Sequence, residues 1–160
     1  MALVPTMANA RGYYDTEGDW VIAGASEGYN LSCIMSSQRP ADSDFLYMLV
    51  AGPGSSEWRI VISSKLAPGT IDAVIKAGSS EPMKLKGVVA KNTITFKLKV
   101  DTRSNQTQRV RDAISEESTL KITLNRTETP PDTLTVSLAG ASNALVSMTK
   151  CVRRLGGLDD

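Results

Sequence analysis

From residue 92 to residue 138 the chain repeatedly alternates apolar and polar side chains, and this period of two is what most limits how it can fold. Residues 92–100 place Ile94, Phe96, Leu98 and Val100 on one side of an extended chain and Thr93, Thr95, Lys97 and Lys99 on the other. Thr119–Asn125 turns Leu120, Ile122 and Leu124 one way and Lys121 and Thr123 the other, and residues 133–138 do the same with Leu134, Val136 and Leu138. Side chains alternate faces only along a strand. A strand with one apolar and one polar face belongs to an antiparallel sheet covered on one side. Less regular apolar segments at 19–25, 29–37, 44–51, 57–64, 70–76 and 83–90 read as further strands. Ala51-Gly52-Pro53-Gly54-Ser55 predicts a turn between two of them, hence a hairpin, and Leu66-Ala67-Pro68-Gly69 and Gly78-Ser79-Ser80-Glu81-Pro82 read as further turns.

Two segments change to a helical period. Residues 106–117 carry Val110, Ala113 and Ile114 on one face, with Ser104 and Asn105 placed to cap the start. Ala141–Leu155 carries Ala141, Ala144, Leu145, Met148, Val152 and Leu155 as a stripe, with Cys151 at its edge and Gly156-Gly157 ending it. The expected architecture is mainly β. It is a single-domain antiparallel sandwich or partly closed barrel, with a short helix near 106–117 and a C-terminal helix packed on the sheet. The domain is expected to run from 11 to 157, with 158–160 as a tail.

With 160 residues, a domain buries roughly 70% of its unfolded surface, so it needs neither metal nor disulfide merely to fold. Histidine is absent. That excludes Ser-His-Asp and Cys-His nucleophile systems and His-ligated zinc or haem. Any acid–base work would fall to carboxylates, lysine or tyrosine. Asp42 and Asp44 follow Pro40 in a polar loop, and Glu116-Glu117 ends a helix, so both pairs read as solvated charge. Trp20 and Trp58 read as core anchors among strand-like neighbours. No catalytic set, cofactor or metal is expected. Aromatics make up 5% of the chain and the net charge is +1, which argues against nucleic acid as a partner. No apolar run reaches the roughly 18 residues of a membrane span.

Charge is uneven along the chain. Residues 1–63 hold three arginines against seven acids, whereas residues 84–126 hold ten basic residues against four acids. Lys84, Lys86, Lys97, Lys99 and Lys121 all fall on outer faces of the expected strands. They read either as a solvated face that discourages edge-to-edge aggregation or as a basic interaction face for an anionic surface polymer, lipid head group or acidic partner.

Ala8-Asn9-Ala10 has the small-x-small form cut by signal peptidase, so residues 1–10 read as a signal-peptide remnant or a disordered start. Export would place Cys33 and Cys151 in an oxidising compartment. The two cysteines lie 118 residues apart, which fits no metal motif. They are either two buried thiols or one disulfide tying an early strand to the C-terminal helix.

Several segments, in this order, resemble the invasion-associated locus B family of exported Gram-negative proteins. Asp19-Trp20-Val21-Ile22 followed by Cys33-Ile34-Met35 is similar to its N-terminal signature, and Leu66-Ala67-Pro68-Gly69 to a Leu-Pro-x-Gly-like turn. Val110 to Leu124 is similar to its later helix and strand. Leu134-Thr135-Val136-Ser137-Leu138-Ala139-Gly140, continuing to Ala144-Leu145, is similar to its closing strand and helix. The chain departs from the pattern in three places. It lacks a second cysteine near Gly24 and a middle cysteine-containing loop, and Ala141 replaces an aromatic. The family's disulfide pattern therefore does not carry over; Cys33 would need a new partner, for which Cys151 is the only candidate. The resemblance implies a periplasmic or secreted, non-enzymatic protein linked to host-cell entry or envelope stress, with no catalytic residues to transfer. The alternative expectation is a carrier of a small apolar ligand or lipid, with Phe96, Leu98, Ile122 and Met148 lining a cavity.

Overall fold

The structure is a computed structural model, and it describes residues 11–27, 30–37, 46–51, 58–99, 105–125 and 132–156. The Ala8-Asn9-Ala10 triplet, Asp42, Asp44, the turn at 52–55 and the tail 158–160 lie outside the described residues.

Along the chain the elements are β1 (Arg11–Glu17), β2 (Trp20–Glu27), β3 (Asn30–Ser37), β4 (Leu46–Ala51), β5 (Trp58–Ser63), β6 (Gly69–Ala77), β7 (Met83–Ala90) and β8 (Thr93–Leu98). They are followed by α1 (Gln106–Glu116), β9 (Thr119–Asn125), β10 (Asp132–Ser137) and α2 (Ala141–Leu155). Nine of the strands and both helices fall where the periodicity places them. The exception is β1, whose Gly12, Tyr13, Tyr14, Asp15 and Thr16 have no apolar alternation. It is held instead by pairing with β2 over its whole length, from Arg11 opposite Ser26 to Glu17 opposite Trp20.

Among the described residues the strands share one hydrogen-bonded order, β1-β2-β3-β4-β5-β8-β7-β6-β9-β10, with every pairing antiparallel. The sheet curls into a half-barrel, as the partly closed barrel reading expects. The connection at 66–69 joins strands that are not neighbours in the sheet. It carries the chain away from β5, and the β6-β7-β8 meander returns so that β8, not β6, pairs with β5. The β7–β8 turn is a two-residue loop, Lys91-Asn92, with φ of 51° and 62° at its two positions. Positive φ at both centres matches the right-handed twist of the flanking strands.

From β2 onward the described residues make one face of this sheet largely apolar. Trp20 and Ile22, Cys33 and Met35, Ile60 and Ile62, Ile94 and Phe96, and Ile122 and Leu124 are buried in a single cluster that also takes in Val110, Ile114, Met148 and Leu155 from the helices. α2 lies on this inner face against β1, β2 and β3 and also touches α1. Its apolar stripe (Ala141, Ala144, Leu145, Met148, Cys151, Leu155) is buried as its 3.6-residue spacing requires. Trp20, 1% exposed, donates from its indole Nε1 to the Ala139 carbonyl at 3.0 Å and so fixes where α2 begins. α1 starts at Asn105, whose side chain accepts from the Gln108 amide at 2.9 Å. Asn105, not Ser104, is therefore the cap observed among the described residues. Gly156 ends α2 with right-handed φ, its amide donating to the Val152 carbonyl. No helix among the described residues is long and apolar enough to cross a membrane.

Candidate functional site

Alternation that buries one face of β6 to β9 displays the other. Lys84 and Lys86 on β7, Lys97 on β8, Lys99 just beyond it and Lys121 on β9 are all exposed, as expected from their positions. Register decides which of them meet. Asp72 on β6 lies opposite Lys86, and Val74 lies opposite Lys84. Lys97 on β8 lies opposite Arg59 on β5. Lys86 and Lys97 lie just beyond Gly87 and Phe96, the last partners of the β7–β8 ladder.

The outcome is an open depression of about 530 Å3 lined by Lys84, Lys86, Lys97 and Lys99, with Asp72, Val74, Gln106 and Asn125 also in its wall. Lys121 is not part of it. It faces Lys76 across the β6–β9 ladder instead. Four of the five expected lysines therefore converge, and the fifth belongs to a separate Lys76–Lys121 pair. The rim at Lys99 is held by α1, because the Lys99 amide donates to the Gln106 side-chain oxygen at 2.9 Å and the Gln106 amide donates to the Lys99 carbonyl at 3.0 Å. The start of a helix is thus tied to the end of a strand at the edge of the basic cluster, and the positive end of the helix dipole adds to the field there. Among the described residues the depression carries four ammonium groups against one carboxylate, and none of those lining it is aromatic.

A smaller groove of about 220 Å3 lies under α1, where Arg109 shares the lining with Asp112, Glu116 and Glu117. Its charges are of both signs. Glu117 also accepts from the Ser79 hydroxyl at 3.2 Å, which ties the Glu116-Glu117 end of α1 to the β6–β7 turn.

The two cysteines are joined, with S–S 2.01 Å and Cα–Cα 6.2 Å. Cys33 points into the core from β3 and Cys151 points down from α2, and both are fully buried. Gly24 explains how the bridge fits. It pairs directly with Cys33 across the β2–β3 ladder. A Cβ built on it would lie 2.3 Å from the Cys151 sulfur and 3.0 Å from the Cys33 sulfur. The absence of a side chain at Gly24 leaves the space that the Cys151 sulfur fills.

A polar chain joins α2 to the edge strand. Asp15 and Tyr13 stand opposite Ile22 and Gly24, so they share the inner face of the sheet. Ser147, buried in α2, donates to the Asp15 carboxylate, and the Tyr13 hydroxyl lies 2.9 Å from the same serine oxygen. The Arg154 guanidinium sits 5.8 Å from the centre of the Tyr13 ring. The serine hydrogen bond, followed by the Thr16 amide and the charge of Lys150, holds the Asp15 carboxyl below its ordinary value of 3.8, against a smaller opposing effect of desolvation. A carboxylate whose pKa is lowered on folding stabilises fully above the ordinary value, and the effect is lost as pH falls through the folded value. The Tm gap between the natural protein and Asp15→Asn is therefore expected to stay constant from about pH 8 to about pH 5 and to close in acid. A gap that stays flat down to about pH 2 would remove Asp15 from the acid response. This chain is a clasp between helix and strand, and sequence reasoning missed it because its residues lie 132 and 134 positions apart.

Trp58 is half-buried beneath the Arg111 guanidinium, 5.1 Å from the ring centre. Phe96, Leu98, Ile122 and Met148, the expected lining of a carrier cavity, lie within the continuous apolar core. The depressions described above are lined by other residues. Among the described residues no group of three or more cysteine or acidic side chains is placed to hold a metal ion.

No protein-family model matches the sequence. No curated protein matches it in sequence. Among solved structures, the crystal structure of invasion associated protein b from Bartonella henselae is similar, with a TM-score of 0.60 and 16% identity. The match covers 86% of this chain and 96% of that one. At this identity the likeness is one of fold.

Proposed function

We propose that this chain is an exported, non-catalytic binding protein of the periplasm or cell surface that presents the basic side of its sheet to an anionic envelope or host-surface partner. The observation that carries this reading is the convergence of Lys84, Lys86, Lys97 and Lys99 on one open depression. Lysines placed only to keep a sheet soluble have no reason to gather at a concavity, whereas clustered like charge raises the local field and speeds capture of an oppositely charged partner. The Cys33–Cys151 bridge supports an oxidising compartment. The fold shared with an invasion associated protein supports a role at the host interface.

Intact mass after alkylation, with and without reductant, on protein recovered from its native host tests the compartment. Both thiols are expected to be blocked until reduction, and free alkylation of both would overturn export. Retention of the same protein on an anionic matrix, weakened by salt, tests the binding face. Hydrolysis of an envelope or peptide substrate by the pure protein, abolished by one point change, would overturn the non-catalytic reading.

A further inference from the structure

Resting on the binding-face reading above, we infer that the depression between β6, β7, β8 and the start of α1 is a site for a linear, sulfated polysaccharide. Three features select this class among polyanions. The first is shape. A flat bilayer would meet the rim of a depression and leave its floor empty, whereas a single flexible chain can lie within it. The second is lining chemistry. Lys84, Lys86, Lys97 and Lys99 supply charge, the side chains of Gln106 and Asn125 supply amide donors and acceptors, and no aromatic ring is present among the described lining residues. Proteins that hold single-stranded nucleic acid rely on stacking against aromatic faces, which this surface lacks. Sugar hydroxyls flanked by anions, by contrast, are matched by amides flanked by ammonium groups.

The third feature is charge spacing. Residues two apart on a strand are about 7 Å apart. Lys84 and Lys86 make one such pair, and Lys97 and Lys99 make a second beyond the last β7–β8 partners, Gly87 and Phe96, so that the depression is lined by a grid of four charges. A chain with one carboxylate per disaccharide leaves most of that grid unpaired. A chain with several sulfates per disaccharide fills it. Lysine is a compact point charge with three rotatable donors, and it accepts an anion from many directions. The site should therefore read charge density with little regard to sugar sequence. Asp72 opposite Lys86 adds one repulsive group that penalises a poorly seated anion.

The test is calorimetric titration with a heparin octasaccharide at roughly 150 mM NaCl, where surface charges more than about 8 Å apart are screened. Binding is expected, and the triple variant Lys84→Gln, Lys86→Gln, Lys99→Gln should weaken it at least about tenfold, or about 1.4 kcal/mol. These side chains are exposed, so an unchanged Tm separates loss of binding from loss of fold. The control pair Lys76→Gln, Lys121→Gln removes two exposed charges outside the depression and should change affinity less than about twofold. Equal loss in both variants would reduce the effect to net charge and overturn the site. A hyaluronan octasaccharide, phosphatidylserine vesicles and a single-stranded DNA dodecamer complete the comparison. Equal or tighter binding of any of these overturns the sulfated-polysaccharide assignment while leaving the basic-face reading standing. Absence of binding to all four probes overturns both.

Discussion

Replacing Cys33 and Cys151 together with alanine is expected to lower the unfolding free energy by about 2–5 kcal/mol, with the fold retained. The size follows from the loop the bridge closes. The two residues are 118 positions apart, and cross-linking a loop of about 100 residues removes denatured-state entropy worth up to about 4.7 kcal/mol in the chain-entropy model. Truncating two fully buried side chains adds the loss of their packing against Gly24 and Leu155. The fold should survive because α2 has other attachments. The Trp20 indole holds the Ala139 carbonyl, Ser147 holds Asp15, and the apolar stripe of α2 stays buried. Urea denaturation of the oxidised protein, the reduced protein and the double variant measures the effect. The reduced protein and the variant should unfold at similar, lower urea concentrations than the oxidised one. Coincident curves for oxidised and reduced protein would show that the bridge contributes nothing to stability.

Much of this arrangement is legible before the structure, and what is hidden has a common cause. The strands at Thr119–Asn125 and Met83–Ala90 and the helix at Ala141–Leu155 coincide with their expected bounds; the first and the last carry a regular period, and the second, though less regular, is set off by the turn at 78–82. Alternation tells which side of a strand faces the core but not which strand lies beside it. The placement of β8 next to β5, and with it the convergence of Lys84, Lys86, Lys97 and Lys99, is settled by pairing between distant segments. For the same reason Lys121 looks like the other four in the sequence and stands apart from them in the fold. Asp72, Gln106 and Asn125 carry no signal, since single polar residues on the outer face of a strand or at the end of an element are ordinary. β1 was hidden because its inward residues are polar. Tyr13 and Asp15 face the core side only because α2 offers them Ser147. The disulfide was legible as one of two alternatives from the count and the helical stripe. The role of Gly24 beneath it was not, because nothing in a sequence tells what occupies the space a glycine leaves.

Gly87 poses the same question in a form that a mutant cycle can answer. It lies in mid-strand on the buried face of β7, opposite Phe96 on β8 and Ile71 on β6. A glycine there costs backbone entropy, and alanine at a compatible strand position would ordinarily stabilise by about 0.4–1 kcal/mol. Packing sets the opposite sign. A Cβ on Gly87 would lie 2.6 Å from Cε1 of Phe96 and 2.7 Å from Cγ2 of Ile94, and both neighbours are fully buried. Gly87→Ala is therefore expected to destabilise by about 1–3 kcal/mol. Phe96→Ala empties the same region from the other side and should cost about 3–5 kcal/mol, as large-to-small changes at fully buried aromatics do. The two effects share one volume, so they should not add. In a Phe96→Leu background the ring edge that meets the new methyl group is gone, and the penalty of Gly87→Ala should fall by at least about 0.5 kcal/mol, the coupling expected of residues in contact. Ile94 keeps part of the penalty in place, so full reversal is not expected. Chemical denaturation of the natural protein, both single variants and the double variant gives the coupling directly. An unchanged penalty in the leucine background would mean that Phe96 is not what keeps position 87 free of a side chain, and Ile94 or the backbone of β7 would have to account for it.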